Sequence, residues 1–345
     1  MNLNPIINNF QRPIRKVQIC CILIFSCAAC SLNIPYENQY SDPDAITTVT
    51  AARELLASAY DAIPKPEFSL SVLSDDFQPT FLINLNADLN NLYKWHPKPM
   101  EDLSNSLWEK YYSAIAIANT VLERIHYVSP ISDSDKQELQ CIVSEAKTLK
   151  AYCYFNLLRL FAPTYPEGPE KDGIILKERF ELAFLKRSSI SECVNAIRQL
   201  LTEAVTVDNR PSQVYWFSRQ SAYYLLAALE LYAENYDKAE EYALKILSST
   251  NAYDVLAPVH YKKLWEQEPC EECIFSLHTT NSYYTDMNYE RKKGDYFTIN
   301  STLTQLYTAN DIRYEATVYP QEMPGESIGE TLPVLYLGKY NKQNW

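Results

Sequence analysis

Few residues in this chain stand at spacings that catalysis or metal binding would use. Gly325-Glu326-Ser327-Ile328-Gly329 has the letters of a nucleophile elbow, where serine sits on a sharp turn between a buried strand and a helix. Here Pro324 precedes the serine segment, Pro333 follows closely, and no apolar strand leads into it. Ser327 is therefore not expected to act as a nucleophile. Cys270 and Cys273 form a lone C-x-x-C. Without a second pair it makes no zinc site, and a disulfide or two ordinary thiols remain the alternatives. His96, His126, His260 and His278 share no metal-ligand spacing. Cys141 and Cys153, twelve residues apart on one expected helix, stand about 18 Å from each other, too far to bridge. No carboxylate pair is marked for glycoside hydrolysis. These residues point away from an enzyme, a bound metal and a cofactor.

Composition narrows the elements that remain. The chain has 345 residues, 47% of them apolar, enough for one large domain or two ordinary ones. Glycine is scarce at 6 and tyrosine abundant at 27, which disfavours phosphate-cradling loops and turn-rich β-architectures and favours helices. A formal net charge of −12 argues against nucleic acid, which needs clustered Lys and Arg.

The N-terminus is organised for export. Arg12, Arg15 and Lys16 precede Val17 to Phe25, apolar but for Gln18, and Ser26 to Ala29 are small. A membrane span needs roughly 20 apolar residues, and this run is too short. Ala28-Ala29-Cys30 resembles the bacterial lipobox, with Cys27 where an aliphatic residue usually stands. The expectation is a signal peptide over 1–29, lipid on Cys30 and a polar spacer to residue 46. Removing the three cationic residues makes the remainder more acidic, so a covalent lipid suits a chain that anionic membranes repel.

Periodicity of three and four dominates the body. Ala52, Leu55, Leu56, Ala59, Tyr60 and Ile63 share one helical face that stops at Pro64; Leu107, Tyr111, Ile115, Ala118, Leu122 and Ile125 share another. Ser134 with Gln137 reads as a capping box opening a long helix with Val143, Ala146, Leu149, Cys153, Leu157 and Leu160 on its apolar face. Ser189 with Glu192 opens the next, with Ile190, Val194, Ile197, Leu201 and Ala204. Residues 218–249 read as two helices joined at Glu234–Tyr236, the second capped by Asp237 and Glu240. This hairpin has a tetratricopeptide look: Ala228, Ala233 and Ala239 permit close approach while Tyr232, Tyr236 and Tyr242 fill the groove. "CIFSLHTT" alternates like a strand, residues 279–300 read as a tyrosine-rich loop region, and "LPVLYLGKY" reads as a final strand. The fold class is mainly all-α, stacked helical hairpins with irregular loops and a few short strands, in a single domain over 47–345.

These landmarks, in this order, resemble the SusD/RagB family of outer-membrane nutrient-binding lipoproteins. Trp108, Tyr112, Ala118 and Asn119 match the family's Trp-x-x-x-Tyr…Ala-Asn helix, and Ala146, Leu149, Lys150, Ala151, Tyr152, Tyr154, Phe155 and Leu157 its signature helix. "KRSSISECVNAIRQLLTEAV" is similar to the Arg-x-Ser helix, "ECIFSLH" to the Glu-x-Ile-Phe strand, and Asp311 and Arg313 to the Asp-x-Arg element. The family usually runs further after the Lys-Tyr pair, here Lys339-Tyr340, so this chain resembles a short member or a fragment.

The resemblance implies binding without catalysis: a lipid-anchored protein, surface-exposed on the outer membrane, that captures a glycan or peptide and helps a SusC-like TonB-dependent barrel transporter take it in. Sugar capture rests on aromatic faces with amides and carboxylates on the hydroxyls. Two clusters placed in expected loops qualify: Asn90, Asn91, Tyr93 and Trp95, then Tyr283, Tyr284, Asp286 and Tyr289. For Trp95 the alternative is a packing anchor in a long loop. The competing class of function is a tetratricopeptide-type envelope scaffold that binds protein or peptide, which has no use for an exposed Trp95.

Overall fold

The computed structural model describes residues 46–179, 184–249, 261, 273–277, 296–308, 310–324 and 330–337. Residues 1–45, with Cys30, lie outside them, as do Cys270, Ser327, Tyr283, Tyr284, Asp286 and Tyr289. Helices that lie wholly within the described residues include α1 (Val49–Asp61), α2 (Glu67–Leu73), α3 (Ala87–Tyr93), α4 (Pro97–Arg124), α5 (Asp133–Phe161), α6 (Ile190–Ala204), α7 (Arg219–Tyr232), α8 (Tyr236–Leu247), α9 (Ser301–Gln305) and α10 (Ile312–Thr317). Strand β1 (Phe77–Pro79) pairs antiparallel with β2 (Phe297–Ile299), and β3 (Val318–Pro324) with β4 (Thr331–Leu337). Among the described residues no helix is long and apolar enough to cross a membrane.

Helices α1 and α4 to α7 share one core. Leu56, Ile115, Leu149, Leu157, Ile197, Leu201, Leu226 and Leu229 are wholly buried in it, each such side chain worth about 1.5–3 kcal/mol of transfer free energy. Small Ala114, Ala118 and Ala146, also wholly buried, let the helices approach closely. A second, smaller core joins α2, α3 and the β1–β2 ribbon through Val72, Phe77, Ile83, Leu92 and Phe297.

Several helix starts depart from expectation. The capping box of α5 is Ser132 with Asp135, two residues before the expected Ser134 and Gln137. The reason is chemical: both pairs have the right spacing, but Asp135 Oδ2 accepts the N–H groups of Ile131 and Ser132 as an anion at the positive helix end. Helix α6 starts at Ser189 with Glu192 as expected. Asp237 and Glu240 do not cap α8, whose N-cap is Asn235. The Asn235 amide is turned back instead, donating to Glu230 Oε2 at 3.1 Å. Tyr236 is exposed, not in the groove, whereas Tyr232 packs on Phe155 and Tyr242 on Tyr223. Residues 273–277 form no strand: Phe275 stacks on Phe217 at 4.0 Å, and Ser276 N–H donates to Val214 C=O. Their alternation serves packing. Conversely, residues 297–299, inside the expected loop region, pair as β2.

A strap over residues 173–177, held against α4 and α5, explains much of the sequence signature. Its peptide groups lie against apolar helices and need partners. Tyr112 Oη accepts Ile175 N–H at 2.9 Å and donates to Ile175 C=O at 2.8 Å. Tyr154 Oη does the same for Lys177, at 2.8 and 2.6 Å, and Asn119 Nδ2 donates to Lys177 C=O at 3.0 Å. Arg187 donates to Phe161 C=O and Gly173 C=O while lying over the Trp108 ring. We expect Tyr112→Phe and Tyr154→Phe each to lower stability by about 1–3 kcal/mol in urea denaturation, since each strands a strap N–H. Unchanged midpoints would show that the strap is not held this way.

Lys150 is a buried signature residue, 7% exposed, with its ammonium 5.7 Å from the Tyr154 ring centre. Burial pulls it down to about 8, against the upward pull of Glu178 and Glu123. A lysine lowered in the folded state means that the unfolded chain holds more protons between that value and the usual one, so stability rises with pH there. Lys150→Met should therefore stabilise at pH 7, by up to about 3 kcal/mol. The difference between variant and wild type should shrink from pH 8 to 10 in parallel denaturation series.

Candidate functional site

The first cluster singled out in the sequence lies on a shoulder built on the second core. It is not an open loop: a 3₁₀ turn, Phe81–Leu85, leads into α3, which contains Asn90, Asn91 and Tyr93. Asn86 caps α3 by accepting Leu89 N–H at 3.2 Å. Asn90 donates to Asn84 Oδ1 at 3.4 Å, joining the turn to the helix. Tyr93 is half-buried, its ring 5.9 Å from Phe297, so it couples α3 to β2. Asn91 is also half-buried, and its carbonyl closes the helix end.

Trp95 differs from the other three. It is 61% exposed, at a helix end with a specific geometry. Trp95 N–H donates to Leu92 C=O and His96 N–H to Asn91 C=O, both at 2.9 Å. These two bonds make a Schellman ending with Trp95 at the position that takes a left-handed backbone, and its φ is 58°. Glycine is the usual occupant, and a bulky residue there costs about 1–2 kcal/mol. The chain thus places its indole where the backbone would prefer none. Pro97 then starts α4 and holds the exit direction. Glu234 closes α7 with the same ending, φ 58°, but bears an ordinary surface charge.

The described chain resumes beyond the second cluster at Tyr296, whose carbonyl accepts Thr80 N–H at 2.9 Å. Tyr283, Tyr284, Asp286 and Tyr289 precede this point in sequence and lie outside the described residues.

Sequence reasoning missed a third aromatic group. Tyr60, Tyr152, Tyr215, Trp216, Phe217 and Phe275 form a cluster at the end of α1 and the entry to α7. Arg53 lies 5.1 Å from the Trp216 ring centre and pairs with Glu145 at 2.8 Å. Burial pushes the Glu145 carboxyl upward, opposed by Arg53, Asn209 and Tyr60. A charged residue at a core spacing, between Ile142 and Leu149, was the available signal.

For the other chemistry considered, His96 and His126 are both exposed. Among the described residues no three His, Cys, Asp or Glu side chains gather as a metal site. The segment holding Ser327 runs between two paired strands, β3 and β4, not from a strand into a helix as an elbow requires.

Residues 35–231, more than half of the chain, match the family model SusD-like_3, described as starch-binding associating with outer membrane. The chain belongs to this family. A curated relative, SusD-like protein P38 of Formosa agariphila, is 25% identical over 232 residues, which are 65% of this chain and 42% of that protein. The chain thus spans less than half the length of that relative. A SusD superfamily protein of Bacteroides vulgatus has a TM-score of 0.70 at 19% identity, over 86% of this chain and 70% of that one. A laminarin-binding SusD-like protein has a TM-score of 0.64 at 20% identity, over 86% and 73%. At these identities the structural likeness shows the fold: SusD-like stacked helical hairpins.

Replacing Trp95 by glycine relieves the backbone and removes a ring with little burial to lose. Trp95→Gly should leave the thermal midpoint unchanged or raise stability by up to about 1 kcal/mol. A large fall would make the indole a packing anchor.

Proposed function

We propose that this protein is a cell-surface lipoprotein that binds a glycan or oligosaccharide at the Trp95 shoulder and passes it to a TonB-dependent barrel transporter. The observation that carries the reading is the exposed indole held in a left-handed backbone. A ring with one open face packs well on the CH face of a pyranose, and strain of this kind concentrates at binding positions. Asn90, Asn91 and Tyr93 set the shoulder beneath it. Tyr283, Tyr284, Asp286 and Tyr289 are proposed as further ligand contacts. Family membership and the laminarin-binding structural neighbour support a sugar as the ligand. On this reading the role is binding without catalysis, residues 1–29 are a signal peptide, and Cys30 carries the lipid.

The α7–α8 hairpin is proposed as the face toward the transporter. Tyr224, Leu231, Tyr236, Leu244 and Leu247 are each at least half exposed on it, an apolar surface that suits a protein partner. The same surface would serve the scaffold reading. Pull-down from native membranes should recover a barrel transporter; recovery of periplasmic proteins alone would favour a scaffold.

The binding reading is tested by calorimetry on a polysaccharide panel. Trp95→Ala should keep its thermal midpoint and lose ~5- to 150-fold in affinity, equivalent to about 1–3 kcal/mol. Wild-type affinity in stable Trp95→Ala and Tyr284→Ala variants would overturn this placement of the site. Cys30→Ala should turn a membrane-anchored protein into an unprocessed or soluble one in cell fractionation.

A further inference from the structure

We propose a second carbohydrate subsite, for a single pyranose ring, in the larger of two hollows beside Trp216. The hollows have volumes of about 230 and 160 Å³, and Trp216 lines both. These fall below the usual range for drug-sized ligands, and each suits one small ring. Neither hollow includes a residue of the Trp95 shoulder.

The chemistry of the walls selects the ligand. Gln213 and Gln220 border the larger hollow, and amides can both donate to and accept from sugar hydroxyls; Ser218, also at its rim, is committed to capping α7. Arg210, at the same rim, is already paired with Asp208 at 2.9 Å, so the hollow does not call for an anion. Tyr60, Tyr215 and Asp61 line the smaller hollow. Trp216 lends part of its apolar ring surface to both hollows, where sugar CH groups can pack.

The ring is also held before any ligand arrives. The Tyr60 ring meets it edge-on, 5.0 Å between centres at 88°, and the Arg53 guanidinium lies 5.1 Å from its centre. Arg53 is fixed by Glu145, and the backbone N–H of Trp216 donates to Gln213 C=O at 3.3 Å. A fixed platform spares the ordering cost that weakens small-ligand binding.

The subsite extends the glycan reading but does not share its residues, so the two are separable. Methyl pyranosides are titrated by saturation-transfer NMR against wild type, Trp216→Phe, a Gln213→Ala/Gln220→Ala double variant and Trp95→Ala, with thermal midpoints measured alongside. The double variant, at one exposed and one half-buried position, should keep its midpoint and lose at least about five-fold in pyranoside affinity. Trp216→Phe keeps a ring against Tyr60 and Arg53, and should also weaken binding. Trp95→Ala should bind pyranosides as wild type does even where it has lost polysaccharide. Absence of pyranoside binding in wild type would overturn the subsite, as would wild-type binding by the double variant. Loss of pyranoside binding in Trp95→Ala alone would assign all sugar contact to the shoulder.

Discussion

A carboxylate with 1% exposure sits where three parts of the chain meet. Glu145 on α5 pairs with Arg53 and accepts from Tyr60 Oη at 3.2 Å, both on α1, and from Asn209 Nδ2 at 3.2 Å in the α6–α7 connection. Asn209 also donates to Phe217 C=O, and Phe217 N–H donates to Tyr60 Oη at 2.8 Å. An isolated buried charge is strongly destabilising, by about 3–5 kcal/mol when one partner is lost. Loss of any one of these contacts would therefore be costly, which ties α1, α5 and the entry to α7 together. Glu230 repeats the device at the other end of α7, with Arg198 and Asn235.

The residues on which the sequence resemblance rests are largely structural. Tyr112, Asn119 and Tyr154 stitch the strap, Arg187 ties it to the end of α5, and Asp311 caps α10 and holds Arg313. Trp95, Trp216 and the α7–α8 surface stand apart from them.

The helices were legible because periodicity reports burial directly: Leu56, Ile115, Leu149, Ile197 and Leu201, read as core from spacing, are all wholly buried. Caps were less legible, since Ser132 and Ser134 offer competing boxes and only the folded chain decides between them. The short helix holding Asn90 and Tyr93 reads as loop in the sequence because seven residues leave little periodicity to see. The left-handed Trp95 carries no local signal at all, because glycine, which usually marks that position, is absent. The aromatic cluster at Trp216 joins residues 157 positions apart, beyond what any window can show. Phe275 reads as part of a strand in the sequence for the same reason: its partner, Phe217, is a distant ring.

The central claim concerns where sugar rests on this molecule. A crystal structure of the protein with an oligosaccharide drawn from a polysaccharide it binds would test it most directly. The account predicts a pyranose face stacked on the Trp95 indole, with the left-handed backbone at that residue unchanged from the unliganded state. Sugar bound away from the shoulder, with Trp95 still open to solvent, would contradict it.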